Sequence, residues 1–463
     1  MKGYAGKVLI IVQNLPVPFD RRVWLEAKTL RDQGLKVSVI CPTSKEFPLK
    51  YERIDGISVY RYKMPVEAEG VMSYFFEFAY AWLATAMLSL KVLLREGFDV
   101  IQACNPPDTY WVLGWLYRPL GKTFLFDHHD LSPEMFDAKY NGKASFLRRI
   151  LEWLEKMTLR SARLVLSTNV SYKKVAITRG GVHPENVYVV RTGPDLQRLQ
   201  LLPVENELKF GKEYMVCYLG EMCPQDGVDI LLEAIDHFVR HLNRKDTHFV
   251  LVGGGPAMPS LRNLCKKMGL EDVVTFTGRV SDADLCRYLS SADVCVDPDP
   301  WSEWANHSTM NKILEYMTFG KPIVAFDLEE HKNSAGTAAV YVKPNDSAGF
   351  ANAVSTLLDD ESSRKKMGDV GYKRIRNELS WRHTRKALVK AYASLFPNMT
   401  QNVEKMPKVL EQLLEQAQTE TYDILLPVKD AHTFVMKPGC CNDIVAIAEH
   451  ILADRPTNPE YIE

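Results

Sequence analysis

Short apolar runs alternate with longer amphipathic stretches along this chain: Lys7–Val12, Lys36–Cys41, Asp99–Ala103, Thr123–Asp127, Leu164–Ser167 and Val187–Val190. Strands this short and this apolar are buried on both faces, so helices must cover them, and the alternation predicts a parallel, doubly wound sheet. The rhythm lapses between Thr192 and Lys212 into polar, Pro-containing sequence that reads as a linker. It resumes at Tyr214–Leu219, Phe249–Val252, Val273–Phe276, Val294–Asp297 and Ile323–Phe326. The organisation expected is therefore α/β, with one Rossmann-like domain over residues 1–195 and another over 212–380. Residues 381–396 read as a helix returning to the first domain, and 397–463 as an extension without an assigned role. Two doubly wound sheets facing each other place a ligand cleft at their strand C-termini.

The length, 463 residues, exceeds one ordinary domain, and 46% hydrophobic content supplies real cores. Net charge is −1, but residues 1–200 hold 28 Lys and Arg against 20 Asp and Glu, while the remainder holds 29 against 38. A basic front half suits an anionic partner such as a phosphate-bearing substrate or a headgroup layer; no nucleic-acid partner is expected. Nine cysteines, scattered apart from Cys440-Cys441 and without a C-x-x-C pair, read as reduced thiols in a cytoplasmic protein without a zinc site. Met1–Lys7 leads straight into a strand and carries no export signal.

Met72–Leu94 is apolar and aromatic, with 13 uncharged residues between Glu77 and Lys91. That is short of the roughly 20 needed to span a bilayer. Two readings stand: a helix lying in the membrane interface, and a core helix packed on the sheet. Beyond Pro397 the pattern reads as a polar helix over Gln401–Gln418, a strand over Tyr422–Val428 and a helix over Asn442–Ala453.

Chemistry concentrates between Asn306 and Ala325, which reads polar turn, amphipathic helix, Gly320-Lys321-Pro322, apolar strand. Ser308 or Thr309 is the expected N-cap, turning the helix start toward an anion above the strand ends. Glu315 lies two turns inside, where a carboxylate can accept two neighbouring hydroxyls. This stretch resembles the nucleotide-sugar site of the retaining glycosyltransferases of family 4. Four further stretches share the resemblance: Leu251-Val252-Gly253-Gly254-Gly255-Pro256, Phe276-Thr277-Gly278-Arg279-Val280, Tyr218-Leu219-Gly220-Glu221-Met222 with Gly227-Val228-Asp229, and Asp127-His128-His129-Asp130-Leu131-Ser132-Pro133-Glu134. Together they span Lys7 to Leu395. An NAD-binding reading fails because no G-x-G-x-x-G occurs, and Val12-Gln13-Asn14-Leu15-Pro16 follows the first strand instead.

The resemblance implies a GT-B fold and a donor held by the second domain. Gly220, Gly253, Gly254, Gly255, Arg279, Val280, His307, Ser308, Thr309, Met310 and Asn311 would border the nucleotide, with Glu315 on the ribose. His129 would contact substrate near the reacting carbon, and Asn14, Arg21, His128 and Asp130 would orient the acceptor. Two departures follow from the same comparison. Where many members place an Arg and a Lys against the donor pyrophosphate, this chain has Glu221 and Asp226, and the earlier of the family's paired glutamates falls at His307. Lys312 is the expected substitute for the lost charge, with Arg191, Arg21 and Arg22 in reserve. Asp282-Ala283-Asp284 and Asp297-Pro298-Asp299 match the D-x-D pattern of metal-dependent transferases, but helix capping explains the first, and no metal is expected.

The implied activity is retaining transfer of a sugar from a UDP- or GDP-sugar, without a cofactor, to a glycan or polyprenyl-linked acceptor. The closest resemblance is to bacterial enzymes of O-antigen, capsule or exopolysaccharide synthesis, working at the inner face of the plasma membrane, with contact through residues 72–94. A nucleotide-sugar 2-epimerase of the same architecture, and a catalytically weak nucleotide-sugar-binding or partner subunit, remain alternatives. The donor sugar, the linkage and the oligomeric state are not legible.

Overall fold

A computed structural model describes residues 4–64, 71–140, 145–397, 399, 423–424 and 434–435. Its first sheet has eight strands: β1 (Gly6–Ile11), β2 (Leu35–Pro42), β3 (Tyr51–Ile54), β4 (Ile57–Tyr62), β5 (Val100–Cys104), β6 (Thr123–His128), β7 (Leu164–Ser167) and β8 (Val187–Val189). Their order is β3-β4-β2-β1-β5-β6-β7-β8, parallel except for the β3–β4 hairpin. The second sheet runs β11-β10-β9-β12-β13-β14, all parallel: β9 (Tyr214–Leu219), β10 (Thr247–Val252), β11 (Val274–Gly278), β12 (Val294–Asp297), β13 (Ile323–Phe326) and β14 (Ala339–Val342). The strand order reverses at β1/β5 and at β9/β12, so the loops after those strands diverge and leave a crevice.

Apolar residues on both faces of each strand hold these layers together. In β9, Val216 and Tyr218 pack with Leu231, Ile235 and Phe238 on one side. The alternate residues Met215 and Cys217 pack with Leu285, Leu289 and Leu314 on the other. Each fully buried Leu or Phe of these layers contributes roughly 1.5–3 kcal/mol.

Three strands escaped the apolar pattern. β3 and β4 are joined by Asp55-Gly56, both at positive φ (48° and 78°), a hairpin turn signalled by the Asp-Gly pair itself. β14 is a four-residue edge strand, too short to stand out.

The helix Val71–Arg95 has one face buried in the protein and one exposed. Ala81, Ala84, Thr85, Ser89 and Val92 are buried, while Phe76, Tyr80, Leu83, Met87, Leu90 and Leu94 form an exposed stripe at helical spacing. Among the described residues, Phe76–Arg95 is the one segment long and apolar enough to cross a membrane by length and composition.

The chain passes between the sheets twice. Gly193 lies on the outward crossing, and a Cβ there would stand 2.4 Å from the Leu379 carbonyl oxygen on the return crossing. The Trp381 amide donates to Pro194 O at 3.1 Å, closing the two crossings against each other. The helix Trp381–Ala393 then docks on the first sheet's layer: Trp381 Nε1 donates to Thr29 Oγ1 at 3.0 Å, and the Tyr392 hydroxyl bonds Gln102. Both sheets belong to one compact unit, Met1–Phe396, and Pro397–Glu463 form a second. In the latter, Asp423–Ile424 pairs antiparallel with Phe434–Val435. The helices expected over Gln401–Gln418 and Asn442–Ala453, and the rest of the Tyr422–Val428 strand, lie outside the described residues.

Candidate active site

The loops after β1, β6, β9, β10 and β11 and the helix Asn311–Thr318 enclose a cavity of about 660 Å³ between the two sheets. Asn14, Arg21, His129 and Asp130 line it from the first sheet. Gly220, Gly253, Gly254, Arg279, Val280, Ser308, Thr309, Met310, Asn311, Lys312 and Glu315 line it from the second. Gly255, His307 and His128 do not line it.

Each exception has a local cause. His128 is fully buried, stacked on Phe126 at 5.2 Å with Nε2 3.3 Å from Glu155, because alternation at the end of β6 sends it into the core and its neighbour His129 out. It therefore cannot touch an acceptor. His307 gives its backbone carbonyl to Asn169 Nδ2 at 2.8 Å, while its ring lies 4.0 Å from Glu329. A Cβ on Gly255 would meet Met222 N and O at 2.7 and 2.5 Å, so that glycine fits loop to loop and not loop to ligand. Gly253 is tighter still: at φ +132° its Cβ would stand 1.8 Å from Gly220 O.

On the first-sheet side a buried ionic network fixes His129. Asp127, at the end of β6, accepts from Arg22 Nη2 at 2.7 Å, and Arg22 also donates to Val190 O at 2.6 Å. His129 Nε2 lies 2.7 Å from Asp127 Oδ2 and 2.9 Å from Arg22 Nε. That ring nitrogen is thus committed, which leaves Nδ1 and the ring carbons for a ligand. Burial alone would raise the Asp127 pKa, but Arg22 and His129 outweigh it and hold the carboxyl well below its usual range. Asn105 clamps the loop, its Oδ1 accepting from the His129 and Asp130 amides at 2.6 and 3.2 Å. Asn105 is held in turn by Asp108, whose pKa burial and nearby Glu155 push up to about 7.

The second-sheet side corrects two expectations. Neither Ser308 nor Thr309 caps the helix Asn311–Thr318: the N-cap is Met310, with no side-chain cap bond. Ser308 Oγ bonds the Tyr172 hydroxyl at 2.8 Å, and Thr309 Oγ1 accepts from Asn169 and Arg191, both contacts reaching the other half of the cleft. The first amides of the helix consequently have no side-chain acceptor of their own, and Met310, Asn311 and Lys312 at this helix start line the cavity. The larger correction concerns Lys312. Its ammonium is buried between Asp299 Oδ1 at 2.7 Å and Asp297 Oδ1 at 3.2 Å, with the Tyr218 ring 5.1 Å away. Burial alone would lower its pKa, but the two carboxylates hold it well above the usual value. Lys312 thus neutralises the second Asp-x-Asp motif: although the residue lines the cavity, its ammonium is paired inside the domain. With His331, those aspartates bring three ligand-type atoms within 4.8 Å of one another, and Lys312 is the cation among them.

Sequence reading missed the cluster that surrounds Glu315. Its Oε1 accepts from Arg21 Nη1 at 3.0 Å and from Arg198 Nη2 at 2.8 Å, and both arginines also reach Asp282 Oδ1, at 3.2 and 2.7 Å. Asp282 does not cap its helix, since Ser281 does, accepting from the Asp284 amide. Arg198 stands in the linker, where no local pattern marks a functional residue. Of the reserve cations, Arg191 is held by Glu330 at 3.7 Å and Arg22 is buried in the Asp127 network. Burial, reinforced by Asp226, raises the Glu221 pKa at the cavity wall.

Two doubly wound domains opening their switch points onto one shared cavity define the GT-B class of fold. The chain resembles the family 4 glycosyltransferases: a model described as Glycosyltransferase Family 4 matches residues 20–198, and one described as Glycosyl transferases group 1 matches 213–360. Among relatives, an alpha-D-kanosaminyltransferase of Streptomyces kanamyceticus is 33% identical over 157 residues, covering 34% of this chain and 39% of that one. O-antigen chain mannosyltransferase C of Escherichia coli is 22% identical over 324 residues, 68% of this chain and 81% of that one. Among solved structures, Anabaena HepE in complex with UDP and glucose superposes with a TM-score of 0.63 at 16% identity, over 84% of this chain and 100% of that one.

Proposed function

We propose that this glycosyltransferase transfers a hexose, with retention of anomeric configuration, from a nucleoside-diphosphate sugar to a hydroxyl of a glycan or lipid-linked acceptor in surface-polysaccharide synthesis. The observation that carries the reading is the uncapped start of the helix Asn311–Thr318 in the cavity wall, with Glu315 one turn inside and His129 on the first-sheet side. A diphosphate at the helix start and a ribose diol on Glu315 satisfy both groups. The HepE complex with UDP and glucose and the O-antigen mannosyltransferase support the donor class and the pathway type. In the retaining step the anomeric C–O bond to the diphosphate breaks and the acceptor oxygen bonds the same face of the sugar. The acceptor proton passes to the departing phosphate oxygen. His129 and Asn14 position sugar and acceptor, and no metal or cofactor is called for.

The exposed stripe Phe76, Tyr80, Leu83, Met87, Leu90 and Leu94 is where the protein would rest on a bilayer, at the inner face of the plasma membrane. Ser89 Oγ bonds the Tyr117 hydroxyl at 2.7 Å, placing this helix beside exposed Trp115, Leu116 and Leu120.

Thermal shift and nucleotide release across UDP-, GDP- and ADP-sugars test the proposal. One donor should stabilise the protein and be slowly hydrolysed, and Glu315→Gln should abolish both effects. Absence of any stabilisation by any donor would overturn it.

A further inference from the structure

We infer that Arg198, assisted by Arg21, is the cation pair that receives the donor diphosphate, and that both arginines wait on Glu315 and Asp282 until the donor arrives. The inference rests on the nucleotide-sugar reading above and deepens it. A diphosphate leaving group needs fixed positive charge near its oxygens. The loop that follows β9 offers the acids Glu221 and Asp226 and no cation, and Lys312 is neutralised by Asp297 and Asp299. Arg279 lies over the Phe19 ring at 5.0 Å, and Arg22 is buried on Asp127. Among the arginines lining the cavity, Arg21 and Arg198 are the two that converge on Glu315, one turn from the helix start.

Their present partners mark a waiting arrangement. One oxygen of Glu315 and one of Asp282 each accept from both guanidinium groups, giving two positive and two negative charges in balance. A ribose diol binding Glu315 competes for the oxygen that holds both arginines. Glu315 stands four residues past Asn311, about 6 Å along the helix axis, so a released guanidinium is within one side-chain length of the helix start. There it offers a diphosphate paired N–H donors, geometry that a lysine lacks. Binding the sugar nucleotide would thereby exchange the acids of the waiting state for phosphate oxygens. One cation comes from the linker and the other from the start of the first domain's helix Arg21–Asp32, so the same exchange ties both halves of the cleft to the ligand.

The test compares UDP and GDP with uridine and guanosine by calorimetry on wild type, Arg198→Gln, Arg198→Lys and Asp282→Asn, each checked by thermal melt. Arg198→Gln should weaken the preferred nucleoside diphosphate by ~10–100-fold, the range for losing charge-assisted hydrogen bonds, while leaving the uncharged nucleoside unaffected or tighter. Arg198→Lys should recover part of that loss. Asp282→Asn, which loosens the waiting state without removing a cation, should bind the diphosphate more tightly than wild type. Equal diphosphate affinity in Arg198→Gln and wild type would overturn the inference alone, as would equal losses of diphosphate and nucleoside. Failure of every nucleotide to bind wild type would instead overturn the nucleotide-sugar reading on which it rests.

Discussion

Replacing Lys312 by Met keeps the length and the apolar stem of the side chain and deletes its charge. What remains is two fully buried carboxylates, Asp297 and Asp299, whose shared cation sat 3.2 and 2.7 Å away. At an effective dielectric of about 20, each contact corresponds to roughly 5–6 kcal/mol of Coulomb attraction, much of it offset by the cost of dehydrating the ions. Breaking a buried pair on one side typically costs about 3–5 kcal/mol. Burial and neighbouring Asp297 already push the Asp299 pKa upward, so Asp299 can take up a proton and hold the loss near the lower end. For a domain of this size about 3 kcal/mol corresponds to a fall of roughly 6–12 °C in melting temperature. Adding Asp299→Asn to Lys312→Met removes one orphaned acid and should return at least half of the loss. Circular dichroism melts of the single and double variants, with nucleotide titrations below the transition, measure both quantities. If Lys312→Met melts with wild type yet no longer binds nucleotide, Lys312 is a free ligand-facing cation and the argument is wrong.

Two further outcomes follow. Because the Asp108 pKa is raised to about 7, the folded state holds a proton that the unfolded chain has released above its ordinary value. The stabilisation is therefore present at low pH and lost as pH rises through about 7. Melting temperatures between pH 5 and 8 should decline in wild type and flatten in Asp108→Asn; an unchanged slope would show that another group titrates. For the exposed helix stripe, Leu83→Glu with Met87→Glu should abolish flotation with anionic liposomes at low salt while leaving the melting temperature within about 2 °C. Flotation equal to wild type would remove this face from the membrane account.

The sheets were legible because a doubly wound strand is a dense signal: runs of four to six mostly apolar residues recur between amphipathic stretches and cannot be hidden. The same density cannot reveal a hairpin such as Tyr51–Tyr62, whose first strand alternates between exposed and half-buried, whose second buries polar Ser58 and Arg61, and whose turn only Asp55-Gly56 marks. At the site, residue identity along the Asn306–Ala325 stretch located the cavity wall, but identity says nothing about who neutralises whom. Lys312 and Asp299 are thirteen residues apart in sequence and 2.7 Å apart in space, and Arg198 lies 117 residues from Glu315. Strand alternation did decide one contest in retrospect. His128 and His129 are equivalent as letters, yet one belongs to the core and the other to the cavity, because the alternation of β6 carries on into His129, just past its end.

The doubled crossing at Gly193 and Trp381 bears on how this protein can be cut and recombined. The amino-terminal half, separated at the linker, would lose the indole that satisfies Thr29 and the phenol that satisfies Gln102, and Gln102 in turn donates to Asp127 at 3.1 Å. The inheritable module is therefore discontinuous in the gene: residues 1–195 together with 381–396. A chimera that exchanges first domains between relatives must splice at two points, and a single-junction swap would pair one protein's His129 network with another's supporting tyrosine.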